Sequence, residues 1–164
     1  MPLFRKILYP TDFSELAEVA KEYVKKLKEA KAEEVVVLHV IHPLEFSLPP
    51  LDDPFALDVA TLYAHLPEIE RAILEAHEQR LKEIEEELKA EGFKVKVILT
   101  VGEPKEEIVR VAEEERVSVI VIGYHGKSLI ERILEIGSTA KAVIKKAKCP
   151  VLVVKKVEER NGSD

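Results

Sequence analysis

The stretch that decides the fold reads Val117-Ser-Val-Ile-Val-Ile-Gly-Tyr-His-Gly126 and continues, ten residues later, with Gly137-Ser-Thr139. Its first six residues are apolar and mostly β-branched, as in a buried strand. Residues 140–147 carry apolar side chains at helical spacing, so a helix follows the small hydroxyl residues. Glycine lets a backbone approach a ligand closely, and a helix N-terminus presents unpaired N–H groups with partial positive charge. This order of elements predicts an anion site of the kind that binds a nucleotide phosphate.

Length and composition limit the classes of protein to consider. The chain has 164 residues, of which 46% are hydrophobic and 34% charged, and no apolar run approaches the ~20 residues of a membrane span. A net charge of −6 argues against an extended nucleic-acid surface. The single cysteine, Cys149, excludes an intrachain disulfide and favours a reducing cytoplasm, and the N-terminus shows no signal-peptide pattern. Few amides and many charged residues are typical of a thermophile protein.

Outward from the glycine window, strands and helices alternate along the chain. We predict strands at 7–10, 35–41, 93–101, 117–122 and 151–155, and helices at 15–30, 67–91, 104–116 and 139–148. Alternation of this kind implies an open, five-stranded parallel α/β sheet of Rossmann-like type with helices on both faces. Ligands of such sheets lie at the carboxyl ends of the strands, where the strand order reverses. If the first and fourth strands are neighbours, Asp12 faces the glycine loop.

The apolar positions also predict which helix faces are buried. For the first helix the stripe comprises Leu16, Ala20, Tyr23, Leu27 and Ala30, and for the long helix Ile69, Ile73, Ala76, Leu81, Ile84 and Leu88. Residues 43–66 lack a clear periodicity and carry four prolines, so we expect a long irregular loop. Two interpretations of it stay open, a lid or contact surface and an insertion packed on its own domain. We expect a disordered tail at 157–164.

Several segments together resemble one family. They are Lys6-Ile-Leu-Tyr-Pro-Thr-Asp-Phe-Ser14, Leu38-His-Val-Ile41, Gly102-Glu-Pro104, the glycine window and Cys149-Pro-Val-Leu-Val-Val154. The chain resembles the nucleotide-binding branch of the universal stress protein family across residues 3–156. The resemblance implies one domain over 1–156 that binds ATP, or ADP or AMP, with or without magnesium.

The resemblance also implies roles for individual residues. Asp12, next to Pro10 and Thr11, would contact the ribose, and Val40 would line the adenine pocket through its backbone. By this resemblance Gly123, Gly126, Gly137, Ser138 and Thr139 would surround the phosphates. Lys127 is a further candidate contact, and His125, inside the glycine loop, either touches phosphate or only shapes the turn. The spacer from Lys127 to Ile136 has ten residues where the family has nine. The extra residue is either absorbed as a bulge or moves Gly137 away from the phosphates.

The resemblance extends to assembly and role. The family commonly dimerises through its last strand, here Val151, Leu152, Val153 and Val154. The first hypothesis is therefore a cytoplasmic, dimeric, nucleotide-dependent switch in the stress response. The alternatives are a slow ATPase, with Asp12 or His125 as the base, and an interaction scaffold without nucleotide.

Other interpretations of these motifs are weaker or remain open. The glycine that a P-loop needs five residues before Gly126 is Val121, so that motif is absent. Asp12 could instead stabilise the start of the first helix, and the hydroxyls of residues 138 and 139 could simply cap the last helix. His39 and His42 have no evident third ligand, so no metal site is expected. His77 reads as a packed side chain on the long helix.

Overall fold

The computed structural model describes residues 2–124 and 138–155. The strands are β1 (Lys6–Pro10), β2 (Glu34–Ile41), β3 (Lys94–Val101), β4 (Val119–Gly123) and β5 (Val151–Val154). The helices of the described part are α1 (Glu15–Lys26), α2 (Val59–His65), α3 (Glu68–Ala90), α4 (Pro104–Glu114) and α5 (Ser138–Lys146). No helix in these ranges is long and apolar enough to cross a membrane.

The strands form one parallel sheet in the order β3-β2-β1-β4-β5, which confirms the predicted fold class. The chain runs outward from β1 to β3, returns to the centre and runs outward again from β4 to β5. The strand order therefore reverses between β1 and β4, which pair at Ile7↔Val119 and Leu8↔Ile120. A crevice for a ligand is expected there.

Alternating side chains of the strands fill two cores. Ile7 and Tyr9 of β1 pack with α1 and α3 on one face, while Leu8 packs with α4 and α5 on the other. All three side chains are fully buried. Because both faces of the central strand are covered, its sequence is continuously apolar, as predicted for a parallel sheet.

The predicted helix stripes need correction. The first helix ends at Lys26 and continues as a 3₁₀ turn over Leu27–Ala30, and Tyr23 is 45% exposed while Val24 is buried. On the long helix, Ile69 and Ile73 are 79% and 46% exposed. Leu74 is buried in their place because the first turns of α3 pack on the segment that precedes it. Helical spacing alone did not show which side of α3 faces this segment.

The segment 43–66 is not the irregular loop that the sequence predicted. It contains α2 and two 3₁₀ turns, and Asp53 and Asp58 cap two of these elements by accepting hydrogen bonds from backbone N–H groups. Leu62 and Leu66 join Ile41 and Leu74 in a small third core. This core packs part of the segment against β2 and α3. The predicted tail at 157–164 lies outside the described residues.

Candidate nucleotide site

A cavity of about 450 Å³ lies at the carboxyl ends of β1, β2 and β4, where the strand order reverses. Six of the predicted site residues line it, namely Pro10, Thr11, Asp12, Val40, Gly123 and Thr139. Ser138 is exposed and does not line it. The remaining predicted residues, His125, Gly126, Lys127 and Gly137, lie outside the described residues. The fold therefore brings the ends of distant segments together around one cavity, whose volume is in the range of small-molecule sites.

The loop between β1 and α1 holds its shape through short-range hydrogen bonds. The Phe13 N–H donates to Thr11 Oγ1 at 3.0 Å, and the Ser14 N–H donates to Asp12 Oδ1 at 3.0 Å. The Ser14 hydroxyl accepts from the Ala17 N–H at 3.1 Å, so Ser14 is the predicted N-cap of α1. Asp12 is exposed at the edge of the cavity. Its carboxylate therefore supports the loop at the edge of the cavity.

Phe13 has a backbone conformation that L-residues rarely adopt. Its φ is +64°, in the left-handed region, where a bulky residue is strained. The surrounding packing holds it, since its ring lies with centroid distances of 4.5 Å to His39 and 5.0 Å to His77. This strained turn directs the chain away from β2 at the point where the cavity begins.

Two histidines lie together at the cavity. The sequence indicated a position near a strand end for His39 but not for His77. The rings of His39 on β2 and His77 on α3 are 5.2 Å apart, edge to face, and both residues line the cavity. Burial lowers the pKa of both imidazoles below the ordinary value, and the charge of Glu45 partly opposes this for His77. His77 Nδ1 is buried without a hydrogen-bond partner in the described structure. Sequence spacing indicated a packed His77, but not that it lines a cavity.

Val40 presents its backbone to the crevice. Successive residues of a strand direct their N–H and C=O groups to opposite edges, and Leu38 faces β1, since its carbonyl accepts from the Thr11 N–H at 2.8 Å. Val40, two residues later, faces the same way, but β1 ends at Pro10. No backbone bond between Val40 and the β1–α1 loop is present in the described residues. Its N–H donor and C=O acceptor therefore lie side by side at the cavity.

The opposite end of the cavity is formed by β4 and α5. Thr139 and Ala140 lie in the first turn of α5, whose N–H groups have no partners within the helix. A methyl group at Gly123 would lie 2.9 Å from Leu16 Cγ on α1. Gly123 thus permits close packing of α1 on β4, a role separate from the predicted one at a phosphate.

Within residues 2–124 and 138–155, no three His, Cys, Asp or Glu side chains are grouped so as to hold a metal ion. His42 instead contacts the residue that precedes α4, with its Nε2 3.1 Å from Glu103 Oε2, and its Nδ1 accepts from the Leu44 N–H. Cys149 is a free, half-buried thiol whose pKa is raised by burial, which disfavours the reactive thiolate.

The family model for the universal stress protein family matches residues 3–155, nearly the whole chain. The chain belongs to the universal stress protein family. Universal stress protein MJ0577 of Methanocaldococcus jannaschii is 46% identical over 160 residues, which cover 94% of this chain and 96% of the relative. The solved structure of MJ0577 superposes with a TM-score of 0.74 and covers 96% of this chain and 99% of that one. A second solved structure, of protein PH0823, is 38% identical with a TM-score of 0.66, over 96% of this chain and 99% of that one.

More distant universal stress proteins share the fold and have been solved with ligands. One from Archaeoglobus fulgidus is in complex with dAMP, at 24% identity and a TM-score of 0.59. Another is in complex with cAMP, at 19% identity and a TM-score of 0.59. At these identities the likeness concerns the fold of this universal stress protein and not its ligand.

Proposed function

We propose that this universal stress protein binds an adenine nucleotide, ATP first of all, in the crevice and acts as a dimeric, nucleotide-dependent switch in the cytoplasm. The observation that carries the proposal is the cavity at the reversal of strand order. It unites an acidic side chain, a free strand edge and a helix N-terminus. Each of these matches one part of a nucleotide.

The base would pair with Val40. Adenine carries an acceptor, N1, beside a donor, its 6-amino group. The adjacent N–H and C=O of Val40 complement that pair, so two hydrogen bonds could form without any side chain. Ile108 and Ile122 line the same cavity and supply apolar surface for the flat ring.

The sugar and phosphates would occupy the other end. The Asp12 carboxylate would accept from a ribose hydroxyl, and the first turn of α5 at Thr139 and Ala140 would favour an anion. The glycine loop, with His125, Gly126, Lys127 and Gly137, would complete the phosphate site from outside the described residues. Universal stress proteins solved in complex with dAMP and with cAMP support an adenine nucleotide as the ligand.

Calorimetric titration with ATP, ADP and AMP, with and without magnesium, tests the binding proposal. The chain offers a matched pair of variants, because Asp12 and Asp53 each accept from the N–H two residues onward at 3.0 Å. Only Asp12 lines the cavity. We expect Asp12→Ala to weaken ATP binding about 10-fold or more, as for a lost hydrogen bond to a charged group, and Asp53→Ala to leave binding unchanged. Equal affinities of both variants would mean that Asp12 only supports its loop.

Dimerisation would use β5, at one edge of the sheet. Val151, Leu152 and Val153 are half-buried and uncharged, whereas the opposite edge strand carries Lys94 and Lys96, whose side chains are 84% and 61% exposed. Exposed lysines protect an edge from pairing, and an uncharged apolar edge invites it. Nucleotide bound at the end of the neighbouring β4 would then be close enough to influence the paired strands.

The hydrogen-bonding pattern between β4 and β5 indicates which substitution would disrupt the proposed dimer. The carbonyls of Pro150 and Val154 accept from N–H groups of β4 or the residue after it, so the backbone of Val153 faces the free edge. Val153→Pro removes an outward N–H without breaking a bond to β4, and proline is tolerated on edge strands. We expect this variant to sediment as a monomer and the parent as a dimer. A parent that sediments as a monomer at every concentration would contradict the dimer proposal.

A further inference from the structure

The hydrogen-bonded ladder between β1 and β2 ends one bond short of what the strand register would allow. Pro10 pairs with Leu38, and the Thr11 N–H donates to the Leu38 carbonyl. In a parallel ladder the next bond would run from the Val40 N–H to the Thr11 carbonyl. That bond is missing from the described structure.

The Thr11 carbonyl is bonded by a side chain instead. His39 Nδ1 lies 2.8 Å from this oxygen. A carbonyl oxygen can only accept, so Nδ1 carries the proton and donates it. His39 is only 8% exposed, and its ring is held against those of Phe13 and His77. The imidazole is therefore a fixed donor to the same oxygen that the Val40 N–H would bond in a longer ladder.

The second backbone hydrogen bond that would continue the ladder is also replaced. A longer β1 would bring the Phe13 N–H to the Val40 carbonyl, but this N–H donates to Thr11 Oγ1 at 3.0 Å. Phe13 is also the residue of this loop whose φ is positive. Both local features leave the two backbone groups of Val40 without a partner on β1.

We propose that His39 is a positioning residue for base recognition, which holds the Thr11 carbonyl and so keeps the N–H of Val40 available to the base. This inference rests on the proposed function, since it explains how the adenine-binding edge stays open. A 6-oxo purine presents an N–H at N1 and an oxygen at position 6, the reverse of adenine. An open Val40 edge therefore selects 6-amino over 6-oxo purines, and His39 acts on that selectivity through Thr11.

Two substitutions distinguish the effect of the N–H donor of His39 from the effect of the volume of its side chain. His39→Leu fills a similar space but has no N–H, whereas His39→Asn carries an amide N–H near the position of Nδ1. The first readout is hydrogen exchange of the Val40 amide in the nucleotide-free protein, followed by NMR. We expect exchange to slow in His39→Leu, because the Val40 N–H then donates to Thr11, and to stay at the parent rate in His39→Asn.

The second readout is the affinity ratio of ADP to inosine diphosphate by calorimetry. We expect the parent and His39→Asn to prefer ADP and His39→Leu to lose about 10-fold of that preference, the equivalent of one hydrogen bond. Unchanged exchange of the Val40 amide in a folded His39→Leu would overturn the inference. So would a loss of selectivity in His39→Asn equal to that in His39→Leu. If His39→Leu does not fold, His39→Met, which has no N–H donor on its side chain, takes its place.

The two proposals fail in different ways. A parent protein that binds neither nucleotide removes the proposed function, while the exchange of Val40 in the nucleotide-free protein still decides whether His39 ends the ladder. Conversely, tight ADP binding with no effect of either His39 variant on exchange or selectivity retains the function and removes the role of His39.

Discussion

Replacing Gly123 by alanine tests whether this glycine is required for packing. An added methyl group would lie 2.9 Å from Leu16 Cγ and 3.3 Å from Leu16 Cδ2, where ordinary contacts begin at 3.4 Å. Leu16 is 7% exposed, so it has little room to move, and its own carbonyl oxygen, 3.5 Å away, limits a shift of α1. The φ of Gly123 is not in the left-handed region, so the backbone itself accepts alanine. Steric overlap between α1 and β4 is then the main cost.

The expected magnitude follows from two opposing effects. Overpacking of a core costs about 1–3 kcal/mol. Alanine also reduces the conformational entropy of the unfolded chain and so stabilises by about 0.4–1 kcal/mol. The free energy of unfolding should therefore fall by about 1–2 kcal/mol, which for a domain of this size lowers Tm by about 2–8 °C. Urea denaturation, with the midpoint and slope fitted separately, measures the change.

A second substitution identifies Leu16 as the cause. Leu16→Ala alone should cost about 2–5 kcal/mol because it leaves a cavity. In the double variant the new methyl group occupies part of that cavity, so the combined loss should be smaller than the sum by about 1 kcal/mol or more. Additivity within about 0.5 kcal/mol would refute the packing argument.

Gly102 provides the control for the distance argument. A methyl group there would lie only 2.6 Å from Glu107 Cγ, closer than any contact at Gly123. Glu107 is a flexible side chain that can rotate away, with the loss of its exposed pair with Arg110, worth about 0.2–1 kcal/mol. Gly102→Ala should therefore be milder than Gly123→Ala. A larger loss at Gly102 would show that contact distance outweighs the rigidity of the neighbour.

Two further predictions concern the N-cap of α1 and the two buried imidazoles at the cavity. Ser14→Ala should lower the free energy of unfolding by about 1 kcal/mol, and Ser14→Gly by a few tenths, because the Ala17 N–H loses its acceptor; equal losses would point to another cause. The pKa values of His39 and His77 are lowered by burial, so the unfolded state binds more protons below about pH 6.5. Stability should fall as the pH drops below about 6.5, and chemical denaturation should show a flatter profile for the His39→Asn/His77→Gln double variant; an unchanged slope would exclude the imidazoles as the source.

Local patterns in the sequence determined the strands, most helices and the fold class. The β-branched runs around Val35 and Val119 read as buried strands because both faces of a central parallel strand are covered. Alternation of strands and helices then requires parallel pairing with crossovers. The glycine window and the β1–α1 loop could be assigned to one crevice because strand ends meet at one edge of such a sheet.

Only the tertiary structure decided which side chains complete that crevice. His77 reaches it because α3 packs across the end of β2, and Leu74 rather than Ile73 is buried because α2 covers one side of α3. The open edge of Val40 depends on a register that pairs Pro10 with Leu38 and on an imidazole that takes the next acceptor. Periodicity in a sequence reports which face of one element is apolar. It carries no information on how far two elements slide past each other, and that offset decides which atoms are left without partners.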